Sequence, residues 1–137
     1  MNRRQAREFV MTVAFQLDLN NGWGNDATEY VTKEEVKGQY DYALDIVDKL
    51  IKNHDKIDNV INEVSDGWTT ARMAKTDLAI IRVAMCEILY REDVPNAVAI
   101  NEAVEMAKRY GTGSSSKFIN AILGKVDKQA ESLKNIE

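Results

Sequence analysis

The sequence predicts an all-α fold, with six to seven helices bundled around one central, buried helix. Two observations carry this. Leu78 to Tyr90 is apolar on nearly every side when wound as a helix, interrupted only by Arg82 and Glu87, and such a helix is packed by neighbours on several faces. Elsewhere the apolar residues recur at helical spacing, and no stretch alternates as a strand would. One proline, seven glycines and 45% hydrophobic residues suit a helical core. A length of 137 residues fits one domain or two small lobes sharing a core. Such a chain needs neither disulfide nor metal to bury enough surface.

Taken in order, Arg3 to Leu17 reads as a helix with Ala6, Phe9, Val10, Val13, Ala14 and Leu17 as its buried stripe. Residues 18–30 have the Asn, Gly and Asp content of a loop. Val31 to Val36 reads as a helix start, with Thr32 as N-cap, Glu35 completing a capping box, and Val31 and Val36 as a hydrophobic staple. A further helix spans about Asp41 to Asn53, and Asp55 caps another whose stripe is Ile57, Val60, Ile61 and Val64. Ser65-Asp66-Gly67 stops it, and Trp68 to Thr70 turns into the central helix. That helix ends before Pro95, since proline disfavours helical geometry in the residue before it. Val98 to Tyr110 is amphipathic through Ile100, Ala103, Val104 and Ala107, with Gly111 as its C-terminal stop. Asn101 and Glu102 sit near its start, where polar side chains serve as caps or interhelical links. One of Ser114, Ser115 and Ser116 caps a last core helix from Lys117 to about Val126. The charged tail, with only Ala130, Leu133 and Ile136 apolar, is expected to fray.

The residues offer no catalytic constellation and no cofactor or metal site. The single histidine, His54, has no second histidine to share a metal or to serve a nucleophile. Cys86, the only cysteine, lies in the most apolar helix and reads as a core residue. It also points to a reducing compartment. Gly111-Thr112-Gly113-Ser114 lacks the preceding strand and the Gly-Lys-Ser/Thr ending of a phosphate loop. The N-terminus is too polar for a secretory signal, and no apolar run reaches membrane-spanning length. A cytoplasmic, non-enzymatic protein is the expectation.

The net charge of −4 conceals an uneven distribution. Residues 1–17 carry three arginines against one glutamate, whereas residues 18–66 carry twelve acids against five lysines. On a helix Arg3, Arg4 and Arg7 fall within an arc of about 100° beside the buried stripe, with Met11 and Phe15 at its edge. Arginines in a first turn oppose the helix dipole. They either face an anion or form a solvated, charged end on which Phe15 packs against another helix. Ser116-Lys117-Phe118-Ile119-Asn120 poses the same choice, because a base beside an aromatic at a helix start suits phosphate and stacked bases or an ordinary surface and core. Arg82 and Glu87, inside an apolar helix, must reach partners or a wet surface, since a buried unpaired charge is costly.

Together these residues resemble the NusB family of bacterial transcription antitermination factors. Arg3-Arg4-Gln5-Ala6-Arg7-Glu8 resembles its arginine-rich opening, and Asp77 to Glu87 its central helix. Asp93-Val94-Pro95, Val98 to Val104, Ala107 to Gly111 and Lys117 to Asn120 complete five matches in order. The resemblance implies two helical subdomains, about 1–66 and 67–137, in a single RNA-binding domain. It implies that the protein binds the single-stranded boxA element of nascent RNA, notably ribosomal RNA leaders, together with the ribosomal protein NusE. The complex would travel with RNA polymerase and promote read-through. Carried over, the RNA-facing candidates are Arg3, Arg4 and Arg7, with Phe15, Lys117 and Phe118 as neighbours and Arg82 as a further candidate. Asp77 matches a position used toward NusE. Phe15 stands where the family often has tyrosine, Gly113-Ser114 replaces a common acidic pair, and residues 18–26 have no counterpart with an assigned role. Two other readings share the fold: a protein-protein scaffold, and a fragment of an RNA cytosine methyltransferase.

Overall fold

The structure, a computed structural model, describes residues 1–134. It contains α1 (Arg3–Leu19), α2 (Tyr40–Val64), α3 (Lys75–Tyr90), α4 (Asn96–Tyr110) and α5 (Ser115–Lys134), plus single 3-10 turns at Ala27–Glu29 and Thr70–Arg72. No strand occurs among the described residues. The all-α expectation holds, with five helices in place of six or seven.

Two of the expected helices account for the difference. Val31 to Val36 makes one turn only. Glu35 N–H donates to Thr32 Oγ1 at 3.3 Å and Val36 N–H to the Thr32 carbonyl at 3.3 Å, and both valines are buried. Gly38, at φ +81°, then redirects the chain into a conformation glycine adopts without strain. The capping residues therefore close a turn that is not propagated. The break expected at Asn53–Asp55 does not occur either. Ile46, Val47, Leu50, Ile57, Ile61 and Val64 form one continuous buried stripe, and half-buried Asn53 and His54 fill its gap. Asn53 donates to the Lys49 carbonyl at 2.8 Å, so its side chain follows the helix rather than ending it.

Helix α1 begins at an Asn2 N-cap with a reciprocal Gln5 contact, and α2 stops where Asp66 and Gly67 adopt positive φ. Helix α4 starts at Asn96, so Asn101 and Glu102 lie inside it and do not cap it. Helix α5 continues past Val126 to Lys134 with Ala130 buried. The expected fraying is thus not seen over that span; the side chain of Leu133, and Ile136 altogether, lie outside the described residues.

Helix α3 is the centre. It packs against α1, α2, α4 and α5, and every residue from Asp77 to Leu89 is buried. Helices α1 and α2 also pack on each other, as do α4 and α5. No helix of the described residues is long and apolar enough to cross a membrane.

Candidate nucleic-acid interface

The arginine arc of α1 divides into three environments. Arg7 is 6% exposed and grips Glu87 of α3, with Nε 3.1 Å from each carboxylate oxygen and Nη2 3.0 Å from Oε2. Its Nη1 lies 3.3 Å from Glu102 of α4. Burial opposes the charge on Arg7, but the bonds and attraction from Glu87 outweigh it, and its pKa is raised. This side chain ties α1 to α3 and α4, so an RNA contact through Arg7 would require breaking a buried ion pair. Such a pair is costly to leave half-made. Helical spacing placed Arg7 beside the stripe; the arrival of Glu87 turned that position into core.

Arg4 lies on the surface and makes a two-pronged bond to Glu102, at 3.0 and 2.8 Å. That bond holds Glu102 below the usual carboxylate range. Arg3 turns the other way. Its guanidinium sits 4.1 Å over the Tyr42 ring while Nε donates to Gln39 at 2.7 Å.

Arg82 is also buried and paired. Nε and Nη2 bond Asp58 at 3.0 and 2.7 Å, and Nη1 lies 3.5 Å from Asp18. It stands 5.0 Å from the Trp23 ring, which stacks on His54. Arg82 therefore links α3 to α1 and α2 and anchors the 18–26 loop; it does not face open solvent. Cys86 is fully buried, and burial pushes its thiol pKa up, as a core residue requires.

The remaining candidates gather around the N-terminus of α3. On one side a hollow of about 260 Å³ is lined by Met11, Thr12, Phe15, Thr76, Ala79 and Tyr110. On the other a hollow of about 350 Å³ includes Trp68, Arg72, Met73, Asp77, Thr112 and Phe118. Thr76 and Asp77 are adjacent in α3, so the two hollows flank its first turn. Asp77 is 9% exposed at the second hollow. Phe118 meets Trp68 edge to face at 6.2 Å, and Arg72 lies 5.4 Å over the Trp68 ring. Lys117 is exposed beside Phe118.

The turn between α4 and α5 sets this geometry. Ser115, 1% exposed, accepts from Thr112 N–H at 2.9 Å through its hydroxyl. A Cβ on Gly111 would lie 2.5 Å from that hydroxyl and 2.8 Å from the Ala107 carbonyl. Gly111 is therefore needed for close packing, although its φ of −92° is ordinary.

The sequence reading missed Trp68, Arg72 and Tyr110. Trp68 and Tyr110 are 50% and 48% exposed, unusual for such large aromatics. The available signals were Trp68 directly after a helix stop, with no periodic partners, and Arg109-Tyr110, a second base-aromatic pair at a helix end. Arg109 itself pairs with Glu8 at 2.6 Å, joining α4 to α1 between Arg4 and Phe15.

The sequence model of the NusB family matches residues 4–128 of this chain. The chain belongs to the NusB family. Among curated relatives, the transcription antitermination protein NusB of Acetivibrio thermocellus is 42% identical over 130 residues, covering 93% of this chain and 90% of that protein. The protein of the same name from Alkaliphilus oremlandii is 40% identical, covering 94% and 95%. A solved structure of T. maritima NusB superimposes with a TM-score of 0.84 at 31% identity, covering 94% of this chain and 92% of that one. NusB proteins are antitermination factors, not enzymes.

Proposed function

We propose that this chain is a transcription antitermination adaptor that binds single-stranded boxA RNA together with NusE and accompanies RNA polymerase in the cytoplasm. The observation that carries the reading is the exposed Trp68, Arg72, Tyr110 and Lys117, with half-buried Phe118 against Trp68, around the first turn of α3, in a chain of the NusB family. Single-stranded RNA is held by cations on phosphates and aromatics under unstacked bases, and this surface supplies both.

In this reading Lys117, Phe118 and Arg4 contact RNA, with Phe15 and Tyr110 flanking a slot where a base can stack. Asp77, with the apolar walls of Trp68 and Met73, faces NusE. Arg7 and Arg82 hold the helices that carry these groups. Few direct cation contacts give a shallow salt dependence, about −0.7 per phosphate for a single strand. Affinity then depends on a partner that extends the track and raises the effective concentration of contacts.

The test is a fluorescence titration with boxA RNA and a scrambled RNA at two salt concentrations, with and without NusE. The expected result is preference for boxA, sharpened by NusE. Equal affinity for both RNAs with NusE present would overturn the reading.

A further inference from the structure

Helices α1 and α4 both pack on α3 but not closely on each other, and side chains bridge the seam between them. Arg4 of α1 bonds Glu102 of α4. One turn further along α1, Glu8 receives Arg109 of α4, with Nε at 2.8 Å and Nη2 at 2.6 Å from the same carboxylate oxygen. A turn beyond that, the seam opens into the hollow lined by Thr12, Phe15 and Tyr110. The bridges are crossed, each helix giving one base and one acid, so the bridged part of the seam is neutral. Arg109 is the one partner of the Glu8 carboxylate among the described residues. Its guanidinium also lies 5.8 Å from the ring of Tyr110, a wall of the hollow.

The side chains of Arg109 and Glu8 are 36% and 26% exposed, so a ligand can reach the bond between them. Ion pairs at that exposure contribute little to stability, and the guanidinium fork that holds a carboxylate holds a phosphate equally well. Exchanging one anion for the other therefore costs the fold little. We propose that Glu8 is an internal counter-anion that RNA must displace from Arg109: a nucleotide with its base in the Phe15–Tyr110 hollow brings its phosphate to Arg109 in place of the carboxylate. The pair is an autoinhibitory contact. It withholds one cation from RNA, keeps binding by the lone chain weak, and leaves affinity to be set by the protein partner. The inference rests on the RNA-binding reading above and adds the check built into that surface. Glu102 plays the same part toward Arg4, but it also touches buried Arg7, so Glu8 is the cleaner residue to test.

The experiment titrates fluorescein-labelled boxA RNA with the full chain by anisotropy at two salt concentrations, with the urea midpoint of every variant measured alongside. Glu8→Gln keeps the shape of the side chain and removes its charge. It is expected to tighten binding about fivefold at 0.1 M salt and to steepen the salt slope by about 0.7, the gain of one single-strand phosphate contact. Glu8→Ala should act in the same direction. In an Arg109→Gln background the gain should be much smaller, because only screened repulsion between Glu8 and RNA is left to relieve. Unchanged or weaker binding by both folded Glu8 variants, with the unaltered chain binding normally, would overturn this inference alone. An equal gain in the Arg109→Gln background would do the same, since Glu8 would then act only as a general negative charge. No binding by the unaltered chain, with or without NusE, would overturn the RNA reading and this inference with it.

Discussion

The start of α1 and the turn before α5 are built from the same residue types, bases beside aromatics, and they use them oppositely. At the start of α1 most positive charge is matched from within, as Arg7 is held by Glu87 and Arg4 by Glu102. At the turn, Lys117 and Arg72 have no carboxylate at ion-pair distance, and Trp68 and Tyr110 are half exposed. Arginine density in a sequence is thus a poor measure of available charge. What counts is which cations remain after the neighbouring helices have placed their acids.

The largest expected effect breaks the internal half of that contrast. Glu87→Ala removes the main partner of buried Arg7, leaving only its 3.3 Å contact to Glu102, and should cost roughly 3–5 kcal/mol, read as a lowered urea midpoint. A stability change under about 1 kcal/mol would show that Arg7 is free to turn outward. Gly111→Ala comes next. The added Cβ must displace Ser115 or the Ala107 carbonyl, and overpacking of this kind costs about 1–3 kcal/mol. Denaturation should register that loss, and titration should show weakened RNA binding because Lys117 and Phe118 are re-aimed.

Phe118→Ala tests the turn more directly. Loss of one stacked base is worth about 1–3 kcal/mol of RNA affinity, measurable by titration, and the far-UV spectrum should retain its helical form. Arg4→Ala should lower affinity about fivefold at 0.1 M salt; an unaltered salt slope would place Arg4 outside the RNA track. The smallest effect is on pH dependence. Glu102 has its folded pKa depressed by the Arg4 bond, so it contributes stability above its unfolded value of about 4.3. That contribution is lost as pH falls through the folded value. Glu102→Gln should flatten the acid limb of a stability-pH curve below about pH 4.5. An acid limb of equal steepness in the variant would argue that the Arg4 pair contributes nothing.

Much of the site was legible in part. Lys117-Phe118 stood out as a candidate from a base and an aromatic at a helix start, whereas Asp77 was a candidate through the family resemblance alone. Trp68 and Arg72 were not, because the Trp68 ring meets Phe118 across 50 residues of chain and Arg72 gains its place by lying over that ring. The need of Arg82 and Glu87 for partners followed from the cost of buried charge. The identities of those partners, Asp58 with Asp18 and Arg7, required the helices to be placed.

By itself the sequence determined the class, the central helix and the main helical stripes, because periodicity and the cost of burying charge act locally along the chain. It misjudged Thr32 and Asp55 for a related reason: capping residues mark where a helix is able to start, while tertiary packing decides whether a turn propagates or a stripe runs on. Only the tertiary structure decided which arginines remain available. Whether a guanidinium is a core residue or a ligand contact depends on the carboxylate that a distant segment brings to it, and no local pattern carries that information.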